Sequence, residues 1–267
     1  MPMKMTAIAS GSSGNCTRVG SDECNILIDA GISARRIEKG LNENDLSLKD
    51  ISALLVTHEH IDHVSGIGVI SRKYGIPIYG TKETLYALKS VKSLGSIDKG
   101  LFHEIEPDGE FSIGDLSITP FSISHDALNP VAYRIESGGK SVAVATDMGT
   151  FSDYTVEHLR GLCGCLIEAN HDVRMLEAGS YPYYLKRRIL GERGHLSNEA
   201  SGRLIDSILN DDIKCVMLGH LSRENNFPEL AYETVRTEID LSESNYTSND
   251  FPIIVAKRES ALKTVEF

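Results

Sequence analysis

Three histidines and an aspartate stand within six positions, directly after an apolar run, and this segment constrains the chain most. The run, residues 51–56, is aliphatic and β-branched, a pattern typical of a strand buried on both faces. It leads into Thr57-His58-Glu59-His60-Ile61-Asp62-His63. Side chains two positions apart at a strand end, such as His58 and His60, point to the same side. Imidazole and carboxylate groups gathered there suit Zn²⁺, Mn²⁺ or Fe²⁺, and a loop of solvated histidines is the alternative.

Composition narrows the class of protein. The 267 residues are 41% hydrophobic and 24% charged, which excludes disordered, collagen-like and disulfide-stapled chains. The net charge of -11 disfavours wrapping of nucleic acid over a broad surface but leaves room for a local basic strip. The five cysteines include no C-x-x-C pair, and no apolar stretch resembles a signal peptide or a membrane span. We therefore expect a cytoplasmic protein with no membrane partner.

Short strands dominate the first half of the chain, and strands alternate with helices after residue 146. The spacing of apolar residues predicts a helix over 64–74, a helix capped by Ser197 and a closing strand over 252–257. No internal repeat or long linker interrupts the pattern. The sequence thus predicts two β-sheets with helices outside, in a single domain over residues 1–267.

The H-x-H-x-D-H pattern resembles that of the metallo-β-lactamase superfamily. Four further positions, each at the end of a predicted strand, match its other motifs: Asp29, His125, Asp147 and His220. The resemblance covers nearly the whole chain and implies an α+β fold, the αββα sandwich of two mixed β-sheets flanked by helices. It also implies a metal site, with Asp29 as a carboxylate that orients a metal ligand.

The same resemblance implies two divalent ions, Mn²⁺ or Zn²⁺, with Fe²⁺ as a third candidate. It assigns three histidines to one ion: His58, His60 and His125. It assigns Asp62, His63 and His220 to the other ion, and it makes Asp147 the carboxylate shared by both. The expected nucleophile is a hydroxide that bridges ions about 3.5–4 Å apart, with Asp62 as a group that orients it.

Several further segments resemble the YycJ/WalJ group of this superfamily, which is related to ribonuclease Z-like phosphodiesterases. They are Ala9-Ser10-Gly11-Ser12-Ser13-Gly14-Asn15, Ser124-His125-Asp126, Glu168-Ala169-Asn170-His171-Asp172, Tyr181-Pro182 with Lys186-Arg187-Arg188, and Gly194-His195-Leu196-Ser197-Asn198. The resemblance implies a 5′→3′ exonuclease that acts on DNA, with a place in DNA repair. It also implies that His195 is the general acid that protonates the leaving oxygen.

Candidate substrate contacts lie in two of these segments and at one histidine. The hydroxyls and backbone N–H groups of residues 10–15 suit a phosphate cradle, and a plain hairpin turn is the alternative. Basic charge is densest just before His195, where a solvated helix face is the alternative. The candidate contacts are Ser12, Ser13, Asn15, His171, Lys186, Arg187 and Arg188.

Two other functions remain open at this point. One is a small-molecule metallo-hydrolase that acts on a cyclic phosphodiester, a thioester or a lactone, which the acidic balance favours. The other is a metal-binding or signalling protein without catalytic activity. Oligomeric state, digestion polarity and strandedness have no signal in the sequence.

Overall fold

The computed structural model describes residues 2–267, and they group into two compact units. Unit 1 contains residues 2–122, 127–140 and 257–267, and unit 2 contains residues 123–126 and 141–256. No helix within these residues is long and apolar enough to cross a membrane. The single domain over residues 1–267 stays a prediction.

Unit 1 carries most of the strands. They are β1 (Lys4–Ala9), β2 (Cys16–Gly20), β3 (Asn25–Ile28), β4 (Ala53–Leu55), β5 (Ile78–Thr81), β6 (Phe102–Ile105), β7 (Phe111–Ile113), β8 (Leu116–Ser122) and β9 (Val131–Ser137), with β14 (Val265–Glu266) near the carboxyl terminus. Its α-helices are α1 (Ala34–Asn42), α2 (Ile61–Val64), α3 (Ile67–Tyr74) and α4 (Lys82–Leu88). The last strand is β14, so the expectation that residues 252–257 close the fold was wrong.

Unit 2 alternates strands and helices, as the sequence predicts. Its strands are β10 (Lys140–Ala145), β11 (Gly164–Glu168), β12 (Cys215–Gly219) and β13 (Ile253–Val255). Its helices are α5 (Asp153–His158), α6 (Val173–Ala178), α7 (Tyr183–Ile189), α8 (Asn198–Ile208) and α9 (Pro228–Asp240). The predicted cap of α8 is confirmed, because the Ser197 hydroxyl accepts from the Ala200 N–H at 3.2 Å.

Both β-sheets mix parallel and antiparallel pairs. The first has the order β14-β1-β2-β3-β4-β5-β6, antiparallel from β14 to β3 and parallel from β3 to β6. The second has the order β13-β12-β11-β10-β9-β8-β7, with β10 to β13 parallel and β7 to β9 antiparallel. The prediction of two mixed β-sheets flanked by helices is confirmed.

Parallel pairing determines where the polar strand ends lie within each unit. In unit 1, Ile28 of β3 stands beside Leu55 of β4, so the residues that follow both strands share one edge. In unit 2, Glu168 at the end of β11 stands beside Gly219 at the end of β12. Carboxyl ends of parallel strands are a common place for active-site residues in α/β sheets.

The helix predicted over 64–74 is interrupted, which corrects the sequence expectation. The segment forms α2 and α3 with a break at Gly66, whose N–H donates to the Ala30 carbonyl at 2.7 Å. A Cβ on Gly66 would lie 2.3 Å from the Ile32 carbonyl oxygen, so only glycine allows this approach. Beyond the break, Ile67 and Ile70 of α3 are fully buried in the core of unit 1.

Candidate metal-binding residues

In unit 1, the buried carboxylate of Asp29 organises the histidine segment after β4. It accepts from the Thr57 N–H at 2.9 Å, from the Thr57 hydroxyl at 2.8 Å and from His63 Nδ1 at 2.7 Å. With Nδ1–H donated to Asp29, His63 carries its lone pair on Nε2, the form that binds a metal. This is the positioning role that the resemblance implies for Asp29.

The His58 imidazole contacts the other two imidazoles of this segment. His58 and His63 are fully buried, with ring centroids 4.1 Å apart. His58 Nε2 lies 3.1 Å from His60 Nδ1, and His63 Nε2 lies 3.5 Å from Asp62 Oδ2. Imidazole rings gathered this closely, with a carboxylate alongside, are a donor set for a divalent ion.

Asn15 lies against this histidine segment, whereas its neighbours Ser12 and Ser13 are exposed. The Asn15 amide nitrogen is 3.1 Å from His63 Nε2, and its oxygen accepts from the Gly11 N–H at 2.9 Å. The hydroxyls of Ser12 and Ser13 accept from the Arg258 guanidinium at 3.3 and 3.4 Å. Arg258 was not among the sequence candidates, since it lies far along the chain from this loop. The phosphate-cradle role stays a prediction.

In unit 2, four side chains from separate segments form one group. Ligand atoms of Asp147, Glu168, His195 and His220 all lie within 4.8 Å of one another. Asp147, Glu168 and His220 are buried, and the His195 side chain is 15% exposed. The ends of strands β10, β11 and β12 deliver the first, second and fourth of these residues at one sheet edge, and the segment before α8 delivers His195. The group combines one partly exposed imidazole with buried donors suited to a divalent ion.

Glu168 supports this group from behind, and the sequence candidates did not include it as a site residue. Its Oε1 lies 2.8 Å from both His195 Nδ1 and His220 Nδ1. Its Oε2 accepts from the N–H groups of Met148 and Leu196 at 2.9 and 3.2 Å. Burial by itself would raise the pKa of Glu168, but the charges and hydrogen bonds of the two histidines lower this pKa to about 2. Glu168 stands at the end of a buried strand, and this position was the sequence signal that could have identified it as a site residue.

His125 is the fifth donor of unit 2. Its Nδ1 lies 3.1 Å from the Gly194 carbonyl oxygen, and its Nε2 lies 3.8 Å from Asp147 Oδ1. Burial lowers the pKa of His125, so the neutral ring is favoured. Donation from Nδ1–H to the carbonyl leaves the Nε2 lone pair directed toward Asp147, as a metal ligand requires.

A glycine permits the close packing that brings these loops together. A Cβ on Gly149 would lie 2.3 Å from both the Glu192 carbonyl oxygen and the Gly194 nitrogen. The Gly149 N–H also donates to the Ser124 carbonyl at 2.8 Å. The loops that carry Asp147, His125 and His195 therefore meet at Gly149.

Three of the candidate residues have left-handed backbone conformations. The φ angles of Asp29, Asp147 and His220 are 60°, 63° and 53°. Non-glycine residues rarely adopt this region, which costs of order 1–3 kcal/mol and persists mainly at functional sites. Each residue follows a strand, so the turn at positive φ ends the strand and aims a polar side chain along the sheet edge.

The remaining sequence candidates lie in unit 2. His171 is buried; its Nδ1 is 3.3 Å from Asn170 Oδ1, and its Nε2 has no hydrogen-bond partner within residues 2–267. Burial lowers the pKa of His171 to about 4.

Lys186 donates to the carbonyl oxygens of Glu177 and Gly179, both at 2.7 Å. Arg188 forms a two-point ion pair with Asp126, and the Arg187 side chain is exposed.

Comparison with known proteins identifies the family. The model of the β-lactamase superfamily domain matches residues 24–220. The chain is 41% identical over 236 residues to "Exodeoxyribonuclease WalJ" of Streptococcus pneumoniae, with 88% of each chain covered. It is 37% identical to "Exodeoxyribonuclease YycJ" of Bacillus anthracis, again over 88% of each chain. The chain belongs to the WalJ/YycJ family of metallo-β-lactamase-fold hydrolases.

The fold agrees with that of a solved structure. The metallo-β-lactamase fold protein YhfI from Bacillus subtilis aligns with a TM-score of 0.70 over 100% of both chains, at 19% identity. This likeness concerns the fold alone. The predicted superfamily, group and fold class are confirmed, and the His/Asp cluster fits divalent metal binding. The individual ligands, the general acid and the substrate contacts stay predictions.

Proposed function

We propose that this chain is a divalent-metal-dependent exodeoxyribonuclease that degrades DNA in the 5′→3′ direction. The observation that carries the proposal is the unit 2 group of Asp147, Glu168, His195 and His220, whose ligand atoms lie within 4.8 Å. It offers metal donors together with one histidine held by a buried carboxylate. The two exodeoxyribonuclease relatives, similar over 88% of the chain, suggest DNA as the substrate. A cytoplasmic location and a role in DNA repair belong to the same proposal.

The donors fit two divalent ions. We assign His58, His60 and His125 to the first ion, Asp62, His63 and His220 to the second, and Asp147 to both. The tautomers support this assignment, since the Nδ1 atoms of His63, His125 and His220 each face a carboxylate or a carbonyl oxygen at 2.7–3.1 Å. Imidazole and carboxylate donors suit Mn²⁺ and Zn²⁺, and Fe²⁺ is a third candidate.

Divalent ions bound there would lower the pKa of a water molecule toward neutrality and offset the negative charge of a phosphodiester. Asp62 is partly exposed, with 23% of its side chain accessible, so it can accept a hydrogen bond from the attacking water and orient it.

His195 is the proposed general acid. Glu168 Oε1 accepts from its Nδ1 at 2.8 Å, which leaves Nε2 to hold and donate a proton to the leaving oxygen. Glu168 holds the ring in this orientation, as a buried carboxylate orients the histidine of a catalytic triad. The same oxygen also orients His220, so one carboxylate positions both a proton donor and a metal ligand.

A panel of three substrates tests the proposed activity. The Mn²⁺-loaded protein is incubated with end-labelled DNA bearing a 5′-phosphate or a 5′-hydroxyl, with bis-p-nitrophenyl phosphate, and with a thioester. We expect progressive loss of nucleotides from the 5′ end of DNA, slower cleavage of the small diester and no thioester hydrolysis. Elemental analysis should give two divalent ions per chain and identify the metal.

Asp147→Ala is the inactive control for this panel. Loss of the shared carboxylate should reduce DNA hydrolysis by at least about 1,000-fold while the circular dichroism spectrum stays that of the wild type. Full activity of Asp147→Ala would contradict the metal assignment. Thioester turnover with intact DNA would instead identify a small-molecule hydrolase.

A further inference from the structure

Helix α7 presents an aromatic and cationic surface in unit 2. Tyr183 and Tyr184 are 75% and 74% exposed, and the Arg187 side chain is also exposed. Arg187 lies four positions after Tyr183 and three after Tyr184, so the three side chains are neighbours on one helix face. We call these three residues the tyrosine–arginine surface.

The other basic residues of this helix anchor it to unit 2. Lys186 Nζ donates to the carbonyl oxygens of Glu177 and Gly179, both at 2.7 Å. Arg188 pairs with Asp126 through two hydrogen bonds. The basic run thus divides by function: Lys186 and Arg188 hold the helix, and Arg187 faces solvent beside the two tyrosines.

The anchors also place α7 next to candidate site residues. Asp126, the partner of Arg188, directly follows His125. The Arg193 guanidinium donates to the His125 carbonyl at 3.0 Å, and the His195 N–H donates to the Ile189 carbonyl at 3.0 Å. Helix α7 therefore connects at its carboxyl end to the loops that carry His125 and His195.

We propose that the tyrosine–arginine surface binds single-stranded DNA by stacking its bases on Tyr183 and Tyr184, while Arg187 contacts the backbone. Two adjacent tyrosines that are three-quarters exposed mark a binding surface, since large aromatic side chains otherwise gain by burial. Aromatic side chains beside a cation are the common means of binding unpaired strands. The inference rests on the proposed nuclease function and names the form of DNA that this function uses.

Charge and geometry favour single-stranded DNA as the ligand of this surface. The protein carries a net charge of -11, so a polyanion is repelled by much of its surface, whereas Arg187 offers it an exposed cation beside the two tyrosines. The faces of bases inside a duplex are already stacked, whereas an unpaired strand offers a free face at every base. A surface with two adjacent rings and one cation matches the repeat of base and phosphate in such a strand.

Binding to the holoenzyme measures the surface separately from catalysis. Fluorescence anisotropy is recorded with a labelled phosphorothioate oligo(dT), which resists hydrolysis, and the double variant Tyr183→Ala/Tyr184→Ala should bind at least about 10-fold more weakly than wild type. The pair Tyr183→Phe/Tyr184→Phe keeps the rings and should bind within about 2-fold of wild type. Tyr86→Ala, which removes a 70% exposed tyrosine from unit 1, is the matched control and should bind like wild type.

Two substrates separate stacking from a general loss of function. An oligonucleotide of the same length with abasic sites keeps the phosphates, and wild type should bind it as weakly as the double variant binds oligo(dT). Cleavage of bis-p-nitrophenyl phosphate by the double variant should match wild type, while KM for single-stranded DNA rises about 10-fold or more.

The outcomes distinguish this inference from the nuclease proposal. Equal binding of the abasic strand by wild type, undiminished binding by the double variant, or equally tight binding of a blunt duplex would each overturn the stacking surface, whatever the nuclease activity. Failure of wild type to degrade any DNA would overturn the proposed function instead. In that case the anisotropy measurements still decide whether α7 binds a single strand.

Discussion

The two units present histidine and carboxylate clusters that are built in opposite ways. In unit 1 the donors His58, His60, Asp62 and His63 follow one another on a single segment after β4. In unit 2 the donors come from separate loops and strand ends: His125, Asp147, His195 and His220, with Glu168 behind them. One cluster is local in sequence, and the other exists only because strands β10 to β12 pair in a given register.

Despite this difference, each cluster depends on one buried carboxylate that orients imidazole rings. Asp29 accepts from one ring, His63, and from Thr57. Glu168 accepts from two rings, His195 and His220, and from two backbone N–H groups. The comparison teaches that a carboxylate behind the ring determines the tautomer in both units. The single carboxylate of unit 2 orients two rings, whereas that of unit 1 orients one.

Removing one histidine from each unit gives the largest expected effect. His195→Ala should lower kcat on DNA by about 100- to 10,000-fold, because the alkoxide leaving group then has no proton donor. On bis-p-nitrophenyl phosphate, whose leaving group is acidic and needs no proton, the same variant should lose less than about 10-fold. His60→Ala, which removes a proposed ligand in unit 1, should lower both activities alike.

Parallel kinetics on the two substrates check this prediction, with circular dichroism as the control for folding. An equal loss on both substrates for His195→Ala would contradict its role as an acid and make it equivalent to His60. A selective loss for His60→Ala would contradict its assignment as a ligand.

Neutralising the two orienting carboxylates compares the units directly. Replacement of such a carboxylate behind a metal ligand commonly costs 10- to 100-fold. We expect Asp29→Asn to lower kcat about 10-fold and Glu168→Gln about 100-fold, because Glu168 positions a ligand and the proton donor together. Steady-state kinetics and elemental analysis of bound metal measure both effects.

The difference between the loss of activity and the loss of bound metal distinguishes the two variants. Asp29→Asn should lower metal content and activity in proportion, whereas Glu168→Gln should lower activity further than metal content. If the two variants lose activity equally, the number of rings that a carboxylate holds has no functional consequence, and the contrast between the units fails.

The smallest effect concerns stability and is confined to unit 2. The pKa of His171 is lowered by burial from 6.5 to about 4, so between these values the unfolded chain binds the extra proton. The stability that His171 contributes is complete above pH 6.5 and is lost as the pH falls toward 4, by up to about 3 kcal/mol. His171→Gln has no imidazole, so its free energy of unfolding should lack this pH-dependent contribution.

Urea unfolding at pH 4, 5, 6 and 7 measures the difference between wild type and His171→Gln. The free energy of unfolding should fall more steeply for wild type as the pH is lowered. His103→Gln, which removes an exposed histidine of unit 1, is the matched control. Parallel curves for wild type and His171→Gln would show that His171 does not titrate as a buried group.

The fold was predictable from the sequence, and every residue of the two clusters except Glu168 was already a candidate site residue at that level. The buried strand before His58 and the cap at Ser197 are local patterns, and a strand or a turn constrains residues that are neighbours in sequence. The helix break at Gly66 was missed because the Ala30 carbonyl that it contacts lies on another segment. The orienting role of Glu168 was missed for a related reason, since its partners His195 and His220 lie 27 and 52 positions away.

The sequence by itself determined the superfamily and the two mixed sheets, and it predicted which residues offer metal donors. The tertiary structure alone decided which carboxylate orients which ring, that Lys186 and Arg188 anchor α7, and that Tyr183, Tyr184 and Arg187 face solvent. The physical reason is the distance along the chain between the residues that interact. Motifs record residue types at short spacing, whereas hydrogen-bond partners and exposure depend on strand register and on packing between segments that are distant in the chain.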